Sequence, residues 1–247
     1  MKRPAPTHME RLSLPSLPWP PSSLLARLSP DTRDAMLALG VARHYRCGQV
    51  LIREGDRTTH AVLLRTGFVK VTAVADSGRN TLLAIRTRGD LVGELGAIER
   101  VPRAATVTAP IDVVGNEIRC NELIGFLRRH PNASLAVTGM VGNRLRMANR
   151  RRLDFAGVTA KARVSRILVE LGEQFGEISS QARGFNLAIT QRELAELAGV
   201  TQVSVQRALR ALRAQGLLTT GYGRIDVTRT DALRVQGRLL TQTDSII

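Results

Sequence analysis

The stretch "GELGAIERVPRAATVTA", Gly93 to Ala109, sets Glu94 nine residues before Arg103 in surroundings rich in small and apolar residues. A carboxylate accepts hydrogen bonds from sugar hydroxyls, and a guanidinium grips a phosphate through two parallel N–H donors. Small residues let backbone close in on a guest, and Gly93 lets a tight turn begin, so that free N–H groups also point at an anion. The pair therefore suits a polar, anionic ligand. A Glu94–Arg103 salt bridge on the rim of a barrel fits the same spacing, and spacing alone does not separate the two.

The elements around the pair must hold it. From Gln49 to Asn116 short alternating runs such as "AVLLRTGFVKVTAV" and "TLLAIRTRGD" are broken at Gly55, Gly67, Gly78 and Gly89, the pattern of a compact antiparallel barrel or roll with no helix of usual length. After Asn121 the period changes. "NASLAVTGMVGNRLRMANRRRLDF" places Thr138, Val141, Leu145, Ala148, Arg152 and Phe155 at alternating three- and four-residue steps, a narrow coiled-coil seam flanked by arginines that predicts pairing with an identical helix. Gly157 breaks this helix and Thr159 is placed to cap the next.

"ITQRELAELAGVTQVSVQRALRALRAQGLL" predicts two short helices. Thr190 and Glu193 make a capping box, with Gln191 at the first helical position; Leu194, Leu197 and Ala198 face inward, Gly199 permits the turn, and Thr201 caps the second helix. On that helix Val205, Ala208, Leu209 and Leu212 form the buried face, while Gln202, Val203, Gln206, Arg207 and Arg210 share the outer face with Ser204 and Arg213 beside it. This is a helix-turn-helix whose second helix enters a major groove, where Arg forks onto guanine and Gln onto adenine. "LLTTGYGRIDVT" adds two short strands, a wing.

The chain of 247 residues, 43% hydrophobic and 23% charged, is long enough for two domains with a sizeable core. A formal charge of +15, nearly all arginine, favours polyanions and nucleic acid first. Cys47 and Cys120 are too few for a disulfide framework, a zinc site or an iron–sulfur cluster, and His8, His44, His60 and His130 lie in unrelated segments, so neither a metal nor a catalytic site is expected. The chain has no apolar run of the roughly 18 to 20 residues that span a bilayer and no signal-peptide core, which predicts a cytoplasmic protein without membrane contact. Six of the ten prolines fall between Met1 and Ser23, an extended arm that Trp19 is expected to tack down.

"GELGAIERVPRAATVTA" resembles the phosphate-binding cassette of cyclic-nucleotide-binding domains, including the "PRAAT" form of eukaryotic cyclic-AMP-dependent kinases. With the seam helix and the winged helix-turn-helix, the chain from about Leu24 to Val227 resembles the cyclic AMP receptor protein branch of the Crp/Fnr regulators. The resemblance implies an α+β fold divided into a proline-rich arm (1–23), a cyclic-nucleotide-binding β-roll (24–130), a dimerisation helix (131–156), a winged helix-turn-helix (157–236) and a tail (237–247). It gives Glu94 the ribose 2′-hydroxyl and Arg103 the cyclic phosphate, with Gly93, Leu95, Ala104 and Ala105 lining the cassette. Ala104 stands where relatives often carry a hydroxyl, which leans toward cyclic AMP over cyclic GMP as effector, with no prosthetic group. Ala148 and Asn149 fall where the family's seam helix meets the base, and Ala148 has no side chain to bond it. The family's Arg, Glu, Arg on the recognition helix match Gln202, Val203 and Arg207, so only the last is kept. A homodimer hinged near Asp154 to Thr159, a pseudo-palindromic DNA operator and RNA polymerase are the implied partners.

Overall fold

The computed structural model describes residues 18–76, 78–175, 177–178, 184–221 and 223–238. The arm before Pro18 and the tail from Leu239 lie outside the described residues. Trp19 does tack the arm's end: the Arg88 guanidinium stands 5.6 Å from its ring and donates to the Pro18 carbonyl at 2.8 Å.

Helix α1 (Pro30–Leu37) opens on a proline, whose missing N–H costs nothing at a helix start. Eight strands follow: β1 (Val41–Tyr45), β2 (Val50–Ile52), β3 (His60–Leu64), β4 (Phe68–Val74), β5 (Asn80–Thr87), β6 (Leu91–Val92), β7 (Thr106–Thr108) and β8 (Val113–Arg119). They make two antiparallel sheets, ordered β1-β8-β3-β6 and β2-β7-β4-β5. Strand β1 lies upstream of the alternation that begins at Gln49, because "VARHY" is mostly exposed and is held by its ladder with β8 rather than by an apolar face.

Strand β3 shows how the roll is built. Val62 and Leu64 enter the core between the sheets with Leu51, Ile52, Val69 and Val107, while Ala61 and Leu63 enter a second core on the other face. Alternation of side chains along a strand is what lets one segment serve both. The second core is closed by Leu25, Met36, Leu123, Phe126 and Val137 from the flanking helices. Helix α2 (Glu94–Glu99), six residues long, is set between β6 and β7.

Helices α3 (Cys120–Arg129) and α4 (Pro131–Gly157) are separated at His130, since the residue before a proline is pushed out of the helical region. Helix α4 buries Ala133, Val137 and Met140 on the roll and leaves Leu135, Leu145 and Leu153 exposed at 71%, 61% and 74%. Of the expected seam, Thr138, Leu145, Ala148 and Arg152 are exposed and Val141 is partly buried. Phe155 is 58% exposed, with its ring against Gly199 and Arg163 5.0 Å away.

The remaining elements are α5 (Ala160–Phe175), β9 (Glu177–Ile178), β10 (Phe185–Leu187), α6 (Gln191–Ala198), α7 (Gln202–Ala214), β11 (Leu218–Gly221), β12 (Arg224–Val227) and α8 (Thr230–Gln236). Thr159 caps α5, its hydroxyl accepting from Ala162 N at 3.3 Å. The wing is wider than the two strands expected, a sheet ordered β11-β12-β10-β9. Its core joins Leu168, Leu194, Val205, Leu209 and Ile225 to Leu82 and Ile85 of β5, so roll and helix-turn-helix share one apolar cluster.

Polar contacts follow the same seam. Lys70 of β4 pairs with Glu193 of α6, and Arg151 of α4 donates to the Leu83 carbonyl at 2.9 Å and to Glu170 of α5 at 2.6 Å. Asp154 pairs with Arg166 across the α4–α5 junction.

Candidate functional site

Gly93 holds φ 76°, ψ 8°, a left-handed conformation that glycine adopts without penalty, and serves as N-cap of α2. Its carbonyl accepts from Ala97 N at 3.1 Å and from Arg103 Nη1 at 2.6 Å. Arg103 is 4% exposed; its Nε donates to Thr58 Oγ1 at 3.1 Å and its Nη2 to the His60 carbonyl. A Cβ on Gly93 would stand 2.4 Å from Ile52 Cδ1, and one on Gly96 3.0 Å from Arg103 Nη1. The small residues of the cassette thus make room for Arg103 itself. Burial draws its pKa down while Glu94 and Asp56 push it back up.

Glu94 is 3% exposed and its partner is Arg144 of α4, whose Nη1 donates to Oε1 at 2.6 Å while Nη2 donates to the Leu91 carbonyl at 2.7 Å. The acid is therefore paired across the roll to the long helix, and not to Arg103 along the loop. Sequence reasoning placed Arg144 merely beside the seam. The signal was there: Val137, Met140 and Arg144 step by three and four and share the helix face turned to the roll.

The structure brings Gly93, Glu94, Arg103 and Arg144 together in this way. Leu95 is 48% exposed, Ala104 is exposed and Ala105 partly buried, so these form the outer lip with Ile98 and Val101, 38% and 44% exposed. Ala148 and Asn149 are exposed on α4. Two surface hollows lie elsewhere. One of about 330 Å³ between α6 and the wing is lined by Thr190, Gln191, Thr220 and Arg224, and one of about 500 Å³ is lined by Arg43, Tyr45, Arg53 and Glu117. In the latter, burial and then Glu117 push the Tyr45 hydroxyl up to about 12.

In the helix-turn-helix the Thr190 hydroxyl accepts from Glu193 N at 3.2 Å and the Glu193 carboxylate from Thr190 N at 3.0 Å. Gly199, at φ 60°, ends α6. Thr201 accepts from Ser204 N at 3.2 Å, and its hydroxyl lies 2.9 Å from that of Ser204, which is thereby engaged in the cap. Gln202, Val203, Gln206, Arg207 and Arg210 are all exposed on one side of α7, while Val205, Ala208, Leu209 and Leu212 are buried on the other. Arg and Gln side chains are the types whose donors can pair bidentately with base edges, and here they share the exposed face of one helix.

Residues 42–130 match the cyclic nucleotide-binding domain family, and residues 162–235 match the Crp-like helix-turn-helix domain family. The chain belongs to the Crp/Fnr family. Within it, the chain is 27% identical over 206 residues to the cyclic AMP receptor protein of Thermus thermophilus, covering 83% of this chain and 92% of that one. It is 27% identical over 189 residues to the cAMP-activated global transcriptional regulator Vfr of Pseudomonas aeruginosa, covering 75% and 88%. The c-di-GMP-responsive global regulator CLP of Xanthomonas campestris shares the Crp/Fnr fold at a TM-score of 0.67 and 24% identity, over 81% of this chain and 99% of that one. The cassette and the helix-turn-helix each fall inside a matched segment, and the whole of α4 lies between the two.

Proposed function

We propose that this chain is a sequence-specific DNA-binding transcription regulator switched by a cyclic nucleotide, with cyclic AMP the favoured effector. The observation that carries the reading is the Glu94–Arg144 pair, which joins the cassette to α4, the helix that runs on to the DNA-binding domain. A ribose hydroxyl bonding Glu94 competes with Arg144, and a cyclic phosphate competes with the backbone carbonyls now bonded by Arg103. Binding therefore rearranges the α4 anchor, and the nucleotide shifts the conformational equilibrium by its difference in affinity for the two states. A hundredfold difference corresponds to about 2.7 kcal/mol.

The exposed stripe of α4, Leu135, Leu145 and Leu153 above all, supports pairing with a second copy. Two recognition helices in such a dimer sit about 34 Å apart and read a pseudo-palindromic operator, with Arg207 on a guanine. The relatives named above are regulators, which supports a cytoplasmic, DNA-bound role with RNA polymerase as a partner over a catalytic one. A second reading keeps the DNA binder and gives the roll another effector or none; it is favoured by the inward-turned Arg103 and by Ala148, which offers no side-chain bond to a base.

Calorimetric titration of the purified protein with cyclic AMP, then of Arg103→Leu, tests the first reading. Micromolar binding that the variant loses while it still melts cooperatively is the expected result. Affinity unchanged in Arg103→Leu would overturn the site, and no binding by the native protein would select the second reading.

A further inference from the structure

Only Val158 and Thr159 separate α4 from α5. The last hydrogen bond of α4 runs from Val158 N to the Asp154 carbonyl at 3.2 Å, and the next helix opens at the Thr159 cap. Helix α5 packs against α6 and α7, so the angle at this break sets where the recognition helix stands relative to α4.

Side chains cross the break at several points. Arg151 donates to Glu170, Phe155 lies against Gly199 and Arg163, and Arg166 pairs with the buried Asp154. Arg166 also reaches α8. Its Nε donates at 2.6 Å to the carbonyl of Gly237, the C-cap of α8, where a helix end leaves backbone acceptors open. Helix α8 is itself seated: Leu233 is fully buried in the apolar cluster of the helix-turn-helix, and Arg234 pairs with Glu173 of α5. A Cβ on Gly237 would stand 3.2 Å from Arg166 Cγ, so the end of α8 lies directly against this side chain. A guanidinium that serves one acceptor through Nε and another through Nη1 has little freedom to turn without losing one of them.

We propose that Arg166 is a positioning residue for DNA recognition and that α8 is its brace. The end of α8 fixes the guanidinium, the guanidinium fixes Asp154, and the pair sets the angle at which the DNA-binding domain leaves α4. The inference rests on the DNA-binding reading above. In a dimer that angle decides the separation and rotation of the two recognition helices. One base pair added between half-sites turns them by about 35° about the duplex axis, so a fixed angle selects one spacing and a loosened angle accepts several.

The test uses the full-length protein, a duplex selected from random DNA by the native protein with and without cyclic AMP, and the same duplex with one central base pair inserted or removed. Arg166→Met, Arg166→Lys and Leu233→Ala are compared, the last loosening α8 without touching the hinge. The native protein is expected to prefer the selected spacing by about tenfold or more. Arg166→Met narrows that preference to about threefold or less, while its binding to random-sequence DNA changes by less than about threefold. Arg166→Lys, which keeps a charge for Asp154 but not the fork, falls between. Hydrogen exchange reads the brace: protection of the Val158 N–H should fall in Leu233→Ala as well as in Arg166→Met. An unchanged spacing preference in Arg166→Met, or unchanged Val158 protection in Leu233→Ala, overturns the inference and leaves the DNA reading standing. A native protein that selects no duplex overturns both. Should Arg166→Met fail to fold, Arg166→Lys and Leu233→Ala decide on the same two readouts.

Discussion

Glu196 on the first helix of the helix-turn-helix accepts a hydrogen bond from the backbone N–H of Leu82 at 2.9 Å. Strand β5 is an edge of its sheet, where backbone groups are otherwise open, and the DNA-binding domain covers that edge together with Arg151 of α4. Replacing Glu196 by Ala leaves that N–H without its acceptor and is expected to cost about 1 to 2 kcal/mol. Hydrogen exchange at Leu82 reads it directly: protection should fall there first, and unchanged protection would show that the contact does not hold the domains.

Removing one half of the Glu94–Arg144 pair is more severe. Glu94 is only 4% exposed at its side chain and Arg144 20%, so Arg144→Met leaves a buried carboxylate alone and is expected to cost about 3 to 5 kcal/mol. Glu94→Leu combined with Arg144→Met should recover most of that in urea unfolding, although the nucleotide site is lost with it.

Glu193 supplies a pH dependence of definite sign. Burial would raise its pKa, but hydrogen bonds from Lys70 and the Thr190 N–H outweigh this and hold it below its ordinary value. A carboxylate whose folded pKa is depressed contributes stability above its unfolded value, about 4.3, and loses it as pH falls through the folded value. Stability should therefore drop on acidification below about pH 4.3, and Glu193→Gln should be less stable at neutral pH with a flatter acid limb. Parallel acid limbs for the two proteins would contradict this.

Leu145 stands 61% exposed on the unpartnered face of α4. A glutamate there sets like charges against each other in a two-fold seam, so Leu145→Glu should sediment as a monomer while keeping its helical spectrum. A native protein that sediments as a monomer would remove the seam.

Arg207 is exposed on the outer face of α7. Arg207→Ala is expected to weaken specific DNA binding by about 1 to 3 kcal/mol and to relax the choice of base at one position in each half-site. Uniform weakening on all sequences, with a shallower salt dependence, would instead make it a phosphate contact.

What could be read along the chain was local. The Thr190–Glu193 capping box, the Thr201 cap, the Gly199 turn and the buried face of α7 depend on residues three or four apart, and the structure forms each as its sequence spacing demands. Strands that alternate, such as β3 and β5, were visible for the same reason, whereas β1, exposed along "VARHY", carried no such pattern and exists through its pairing with β8. The cassette was legible as a motif, but not the way its two charges are satisfied.

Helix caps and periodicity by themselves determined that this protein has a roll, a long helix and a helix-turn-helix, and which side of α7 faces outward. Only the tertiary structure decided that Glu94 meets Arg144 fifty residues away, that Arg103 turns inward to Gly93 and His60, that Phe155 meets Gly199, and that Arg151 reaches the Leu83 carbonyl. The physical reason is the same for all four. A charge or ring chooses among whatever partners topology brings within reach, and that choice is set by how the strands and α4 cross, which spacing along the chain does not contain.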